Sequence, residues 1–218
     1  FDGAEWKTYT VADGLADNYV PSVAVDGQGV LWCGTRNGLS RFDGAIWKTY
    51  TAENGLSSND IWTVMVDEKG VVWVGTTTQG LSRFDGSTWK TYREADGLAY
   101  YRVQSIMMDG KGILWVGTPH GLSQFDGTAW KTFMTEDGLA DNIITSLAMD
   151  AQGEIWAATS KGVSKFDGAR WETYTVADGL ADSTVLAVAV DATGSAWFGT
   201  LGGVSKFDGV SWKTFKES

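Results

Sequence analysis

The chain holds one histidine, His120, one cysteine, Cys33, and a recurring set of carboxylates. That inventory limits the chemistry. A structural zinc site takes about four Cys or His ligands, which one of each cannot supply. A lone cysteine closes no intrachain disulfide. The positions equivalent to Cys33 elsewhere in the chain are Val74, Val116, Ala157 and Phe198, so it reads as a small apolar core residue. A Ser-His-Asp triad is allowed by composition, but nothing places a serine beside His120, which reads as a surface-loop residue. Glycosidic chemistry needs two carboxyls about 5–9 Å apart in one cleft. Most acids here instead recur in columns, Asp13, Asp96, Asp137 and Asp178 in one, Asp17, Asp141 and Asp182 in another. Recurrence points to turn chemistry, whereas a single catalytic centre is built from unlike groups. Asp60 is the one acid outside the columns near an expected inner strand. Asp13, Asp17 and Asn18 could offer oxygens to calcium, but their spacing fits no calcium loop, and side-chain-capped turns explain them more simply. No metal or cofactor is expected.

These residues sit on a repeat. The pattern FDG-x-x-W-[KE]-T-[YF] starts at Phe1, Phe42, Phe84, Phe125, Phe166 and Phe207, at intervals of 41, 42, 41, 41 and 41 residues. A fixed period of this size means a repeat architecture. Each repeat carries four short runs rich in β-branched and aromatic residues, in the second Ile61–Val66, Val72–Thr76, Leu81–Phe84 and Trp89–Tyr92. Tight turns separate them: Asp67-Glu-Lys-Gly70 and its equivalents, a second loop ending in Gly80, and the Asp-Gly of the FDG motif. Three tight hairpins joining four antiparallel strands make one propeller blade. A longer return loop, Val11–Asn18 in its first copy, leads to the next blade, and the leucines at 15, 56, 98, 139 and 180 are expected to plug it onto the core.

The sequence therefore predicts an all-β fold, a five-bladed β-propeller of four-stranded antiparallel blades. It forms a single domain over 1–218, with repeats 1–41, 42–83, 84–124, 125–165 and 166–206 and a partial repeat 207–218. Inner strands are expected to start near Val20, Ile61, Val103, Ile144 and Val185. The outermost strand occurs six times, at Trp6, Trp47, Trp89, Trp130, Trp171 and Trp212, one more than five blades need. Trp212–Phe215 follows its neighbour through a tight hairpin and is expected to complete the last blade. Trp6–Thr10 is then displaced, or pairs with a protein partner or a second copy. Eleven of the twelve tryptophans fall in the two repeat columns, this one and Trp32, Trp73, Trp115, Trp156 and Trp197, and read as inter-blade core.

The net charge of −10 argues against a nucleic-acid partner, which wants a basic stripe, and against anionic membrane surfaces. No apolar run reaches the ~18 residues of a membrane span. The first residue is Phe1, not methionine, as expected of a mature product or an excised piece.

The stretch Val23–Thr35 followed by Gly38-Leu-Ser-Arg-Phe42, with Val64–Phe84 and Ile106–Phe125, carries a D-x-x-G-x-x-W-x-G-T-x(n)-G-[LV]-S-x-F core. It resembles the two-component regulator propeller repeat, and the resemblance covers the chain nearly end to end. It implies a bacterial extracytoplasmic sensor domain, periplasmic or extracellular, of a kind that often responds to carbohydrates. That family's propellers usually have more than five blades. Ala158 replaces the glycine of the repeat. Propeller lyases that resemble the streptogramin-inactivating type rely on paired histidines, which one histidine cannot provide.

Variation between repeats concentrates where a return loop enters an inner strand, and in the second hairpin loop. Alternating strand direction puts both regions at one end of the propeller, at the channel mouth. Trp62 is the one tryptophan outside the two columns, and Tyr19, Tyr100 and Tyr101 are the tyrosines outside theirs. Rings beside polar groups suit sugars, whose faces stack and whose hydroxyls bond. The candidate ligand site is Tyr19, Arg36, Asp60, Trp62, Tyr101, Arg102, Gln104 and His120, with Trp62 as stacking face or, alternatively, as a buried channel plug. Three readings stay open: a non-catalytic module binding a saccharide or other small polar ligand, a structural or assembly propeller without a ligand, and an enzyme.

Overall fold

The computed structural model describes residues 3–216; Phe1 and Asp2 of the opening FDG copy lie outside the described residues, as do Glu217 and Ser218. Twenty strands form five four-stranded antiparallel sheets, each laid out in chain order as a propeller blade. The chain divides into two compact units, residues 1–91 and 92–218.

The first unit holds two blades: β1 (Ser22–Val25), β2 (Leu31–Thr35), β3 (Gly38–Phe42) and β4 (Trp47–Tyr50), then β5 (Ile61–Val66), β6 (Val72–Thr76), β7 (Leu81–Phe84) and β8 (Trp89–Tyr92) up to Thr91. The second unit begins with Tyr92 and holds three: β9 (Ser105–Met108), β10 (Leu114–Thr118), β11 (Gly121–Phe125) and β12 (Trp130–Phe133); β13 (Ile144–Met149), β14 (Ile155–Thr159), β15 (Gly162–Phe166) and β16 (Trp171–Tyr174); β17 (Val185–Val190), β18 (Ala196–Thr200), β19 (Gly203–Phe207) and β20 (Trp212–Phe215). The four runs read from the second repeat coincide with β5–β8. Among the described residues no helix is long and apolar enough to cross a membrane; the first four return loops each hold a single 3-10 turn such as Val11–Asp13, and the fifth a plain turn.

Blades stack through unlike faces. The forward face of the first presents Trp32, Leu39 and Tyr50; the rear face of the second answers with Ile61, Val64, Val72 and Phe84. In the second unit Trp115, Leu122 and Phe133 meet Ile144, Ile155 and Phe166, and Trp156 and Val163 meet Val185, Val188 and Phe198. The approach is close enough to demand glycine. A Cβ on Gly34 would sit 2.6 Å from Ile61 Cγ2 and 2.8 Å from Val64 Cγ2. Cross-blade hydrogen bonds accompany the packing, among them Val64 N–H to Ser22 Oγ at 2.9 Å, Val188 N–H to Ser146 Oγ at 3.2 Å and Thr145 Oγ1 to the Val185 carbonyl at 2.7 Å. The inner tryptophan column is buried as expected, apart from a half-buried Trp197, whereas the outer column is half-buried and Trp6 is exposed. All five return-loop leucines are buried.

The acid columns are turn chemistry. Asp26 Oδ1 accepts from the Gln28 and Val30 amides, both at 2.9 Å, and its Oδ2 accepts from Trp32 Nε1 at 3.3 Å. The same Asp-to-indole bond recurs at Asp67, Asp109, Asp150 and Asp191. In the FDG turns Asp85 caps the Ser87 and Thr88 amides at 3.0 and 2.8 Å. The oxygens considered for calcium are engaged locally: Asp13 with Thr10, Asn18 with the Val11 amide, Asp17 with the Tyr19 amide.

Two boundaries differ from expectation. β1 and β9 begin at Ser22 and Ser105, two residues after Val20 and Val103. In the other three blades one residue bulges out of the inner strand, Trp62, Thr145 or Leu186. In the first blade that position is Pro21, which has no N–H to continue the ladder. In the third it is Gln104, which keeps a single bond to the Gly117 carbonyl at 2.9 Å.

The surplus strand resolves as expected. β20 pairs with β19 from Val204↔Phe215 to Phe207↔Trp212. Trp6–Thr10 joins no sheet. Tyr9 nevertheless contacts Phe42 and Trp47, with ring centroids at 5.2 and 5.5 Å, much as Tyr50 contacts Phe84 and Trp89 at 5.2 and 5.9 Å.

Removing residues 208–218 takes away Trp212, packed on Phe198 and Phe207 at 5.4 and 4.8 Å. It is expected to cost about 3–5 kcal/mol, roughly 6–20 °C in Tm for a chain of this size. Removing residues 1–10 should lower Tm by less; the opposite order in thermal melts would assign the outer strand wrongly. A second expectation concerns acid. Hydrogen bonds from the Thr88 and Ser87 amides hold the Asp85 carboxyl well below the usual range, and the Thr193 hydroxyl and Trp197 indole do the same for Asp191. A folded-state pKa below the unfolded value stabilises the fold above about pH 4, and that stabilisation is lost as pH falls through the folded value. Tm should therefore be flat from neutral pH to about 5 and fall between about 4 and 2; scans at several pH values would show an acid-independent Tm if the carboxylates carried nothing.

Candidate functional site

The return loop and the second hairpin loop of each blade meet at one end of that blade. Within a blade the Thr77 amide donates to the Asp60 carbonyl at 3.1 Å and the Leu201 amide to the Thr184 carbonyl at 3.2 Å; between neighbouring blades of one unit the Gly38 amide donates to the Asn59 carbonyl at 2.9 Å and the Gly121 amide to the Asn142 carbonyl at 2.8 Å. Gly38 needs its positive φ of 120° to make this turn, and a Cβ there would lie 2.7 Å from the Tyr50 carbonyl oxygen.

On top of this backbone frame sits one matched side-chain pair in each of the first four blades, always twenty residues apart. Asn37 Nδ2 donates to Asp17 Oδ2 at 2.7 Å. The Ser58 and Thr78 hydroxyls lie 3.4 Å apart. Tyr100 stacks on His120 with centroids 4.0 Å apart and planes 3° from parallel. Lys161 Nζ lies 3.7 Å from Asp141 Oδ1, which Ser160 also binds through Oδ2. In the fifth blade the partner is Gly202, where a Cβ would come within 3.0 Å of the Asp182 Cβ. The chemistry changes from amide–carboxylate to hydroxyl, ring and ion pair, while the geometry stays. Tyr100, Asn37, Thr78 and Lys161 were not among the candidate site residues. The constant spacing between variable positions was the signal that could have found them.

The eight candidates divide between the units. In the first, Arg36 covers the Tyr19 ring, guanidinium carbon 4.1 Å from the centroid, a cation–π contact on an exposed loop. Asp60 is taken up in pinning its own loop: Oδ2 accepts from Thr77 Oγ1 at 2.6 Å and its amide donates to Ser58 Oγ at 3.3 Å. Its off-pattern place in the sequence is thus explained by a loop contact. Trp62 occupies the bulge between Ile61 and Thr63, half-buried.

In the second unit the rings gather. Tyr100 lies between His120 and Tyr101, its centroid 4.1 Å from the Tyr101 ring, and its hydroxyl donates to the Tyr101 hydroxyl at 2.9 Å. That hydrogen bond, ahead of burial and the neighbouring charges, raises the Tyr100 pKa. The His120 amide is held by Thr118 Oγ1 at 3.1 Å. Tyr101 is 40% exposed, and Arg102 beside it is exposed as well. Gln104 closes this run, half-buried, and its Oε1 is shielded from solvent without a hydrogen-bond partner. The arrangement is a three-ring stack with a guanidinium alongside, suited to stacking and to hydroxyl or carboxylate recognition; it contains no paired nucleophile and base. The equivalent positions in the fourth and fifth blades carry Asp141, Asn142, Asp182 and Ser183.

Replacing Trp62 by alanine is expected to cost about 1–2 kcal/mol, roughly half the value of burying a large apolar side chain fully. That is about 2–8 °C in Tm; a fall well beyond 10 °C would show that the ring is a buried plug.

Four stretches of the chain, residues 14–37, 55–78, 97–120 and 138–161, match the family model described as two component regulator propeller. No curated protein matches the chain in sequence. Among solved structures it is similar to the extracellular domain of the putative hybrid two component system BT4673 from B. thetaiotaomicron, at 23% identity and a TM-score of 0.72 over 86% of this chain and 27% of that one. It is also similar to PorZ, a bacterial surface component of the type-IX secretion system of Porphyromonas gingivalis, at 18% identity and 0.78 over 99% and 37%. Virginiamycin B lyase from Staphylococcus aureus is similar at 12% identity and 0.74 over 94% and 72%. These likenesses are of fold. The chain spans only 27% of the length of the BT4673 domain.

Proposed function

We propose that this chain, built on two component regulator propeller repeats, is the recognition part of an extracytoplasmic sensor and binds a small polar ligand, foremost a saccharide, without chemically transforming it. The observation that carries the reading is the Tyr100–Tyr101–His120 stack with Arg102 beside it. An exposed tyrosine face held rigid by a second ring loses little entropy on stacking against a sugar, and the loop that carries it is pinned to a β-frame. The similarity to extracellular domains of two-component systems supports the placement outside the cytoplasm. The engagement of Asp60 with Thr77, and a single histidine already stacked on Tyr100, speak for binding over catalysis.

A second reading has its own support. The four matched pairs explain much of the loop variation as pins between loops, which a purely structural or assembly propeller would need equally.

Calorimetric titration against ligands found on a glycan array separates the two. Tyr101→Ala and His120→Ala are each expected to weaken binding by about 1–3 kcal/mol, a roughly 5- to 150-fold loss, with Tm within a few degrees of the parent. An array without a hit, or variants binding as well as the parent, would leave the structural reading standing.

A further inference from the structure

Across the ladder from each inner tryptophan stands one residue of the blade's third strand: Arg41 opposite Trp32, Arg83 opposite Trp73, Lys165 opposite Trp156, Lys206 opposite Trp197, and in the third blade Gln124 opposite Trp115. Each of the four cations lies over its tryptophan ring, 5.9, 5.9, 5.1 and 4.9 Å from the centroid. Each also reaches a carboxylate. Arg41 and Arg83 pair with Asp43 and Asp85 at 3.2 and 3.5 Å, Lys165 with Glu154, and Lys206 with Asp191 at 3.6 Å. An ammonium or guanidinium supplied by the blade itself is thus the rule at this place, and Gln124 breaks it.

Where the rule breaks, the structure is hollow. A cavity of about 100 Å³ opens between the third and fourth blades, both in the second unit. Asp109, Lys111, Trp115 and Gln124 line it from the third blade, and the turn glycines Gly153 and Gly168 from the fourth. It sits at the far end of the third blade from the ring stack, beside the turn that follows β9. Asp109 is the counterpart of Asp191, the carboxylate that Lys206 reaches. Its Oδ1 accepts from the Lys111 and Ile113 amides, both at 2.9 Å, and its Oδ2 from the Trp115 indole at 3.1 Å. A carboxylate oxygen can accept a second hydrogen bond, so Oδ2 keeps capacity. Gln124, half-buried, brings an amide oxygen, an acceptor that Arg and Lys at this position lack. The Trp115 ring is only 2% exposed, so the hollow offers a guest these two acceptors rather than a stacking face.

We infer that this hollow binds a cation on a short alkyl stem, a primary ammonium or guanidinium, in the place that Arg41, Lys165 and Lys206 fill from within their own blades. The guest's charge meets the Asp109 carboxylate and its N–H groups reach the Gln124 amide oxygen, while the stem lies against the hydrocarbon between the blades. Lys111 is exposed, and its ammonium can turn to water, but its charge opposes the guest. The site is independent of the ring stack and of any saccharide bound there.

Titration of the full chain with n-butylammonium, followed by the indole Nε1–H NMR signal of Trp115, tests this. The signal is expected to shift saturably in the millimolar range, and uncharged n-butanol should leave it in place. Acetyl-lysine amide binding as well would assign the guest to a peptide side chain, and its failure would assign it to a free amine. Gln124→Arg supplies the cation from within and should abolish the shift. Lys111→Glu, at an exposed loop position, should tighten binding by about 2- to 5-fold, the worth of an exposed charge pair. No shift with n-butylammonium, an equal response to n-butanol, undiminished binding in Gln124→Arg, or unchanged or weaker binding in Lys111→Glu would overturn the proposal.

Discussion

Every blade of this chain is a four-stranded sheet with both faces partly apolar, and that constraint shapes the rest. Such a sheet cannot be half-solvated in the way a single-layer antiparallel sheet can. It must be covered on both sides, and the covering is directional: Trp32 and Leu39 go forward, Ile61 and Val64 receive. Gly34 and Gly117 allow the closest approach, a Cβ there falling within 2.7 Å of the next blade, whereas the fourth blade accommodates Ala158 at the same position. Burial of the inner tryptophan ring then brings its indole N–H to a turn carboxylate, because a buried donor without a partner costs about 1–3 kcal/mol. The Asp-Gly turns are therefore part of the core's polar accounting as well as its chain reversals.

The loop end follows from the same frame. Strand ends are fixed by the blades, so a return loop and a hairpin loop always arrive side by side, and the backbone bond from Gly38 to Asn59 repeats as Gly121 to Asn142. With the backbone satisfied, the side chains above it are free to vary as long as each pair remains complementary. The third blade uses that latitude to assemble rings, and the first to place a guanidinium over a tyrosine.

Fold class was legible in the sequence because the 41-residue period, the turn residues and the strand composition all agree, and agreement between levels is what specifies a fold. Strand bounds were legible where the repeat is regular, as in Ile61–Val66, and less so where a bulge or Pro21 interrupts the ladder, since bulges depend on how the partner strand pairs. The candidate site was legible as a region but only partly as residues. Asp60 stands out by type yet serves its own loop, while Tyr100 stands out as a ring outside its column yet is absent from the candidate site. Its importance depends on what lies opposite, and a single column of residues does not show its opposite. The indole-to-Asp bond was hidden for the same reason: both columns were visible, their contact was not.

The matched pairs also bear on inheritance. Each stretch that matches the family, 14–37, 55–78, 97–120 or 138–161, contains both members of its blade's pair, Asp17 with Asn37 or Tyr100 with His120. A duplication or crossover that moves such a stretch as a cassette carries lock and key together, so new blades arrive already self-consistent. Point mutation has no such advantage: changing Tyr100 alone strands His120, and the lineage must pass through a mismatched intermediate. Diversity at this end of the blades should therefore spread among descendants by shuffling whole segments more readily than by drift at single codons.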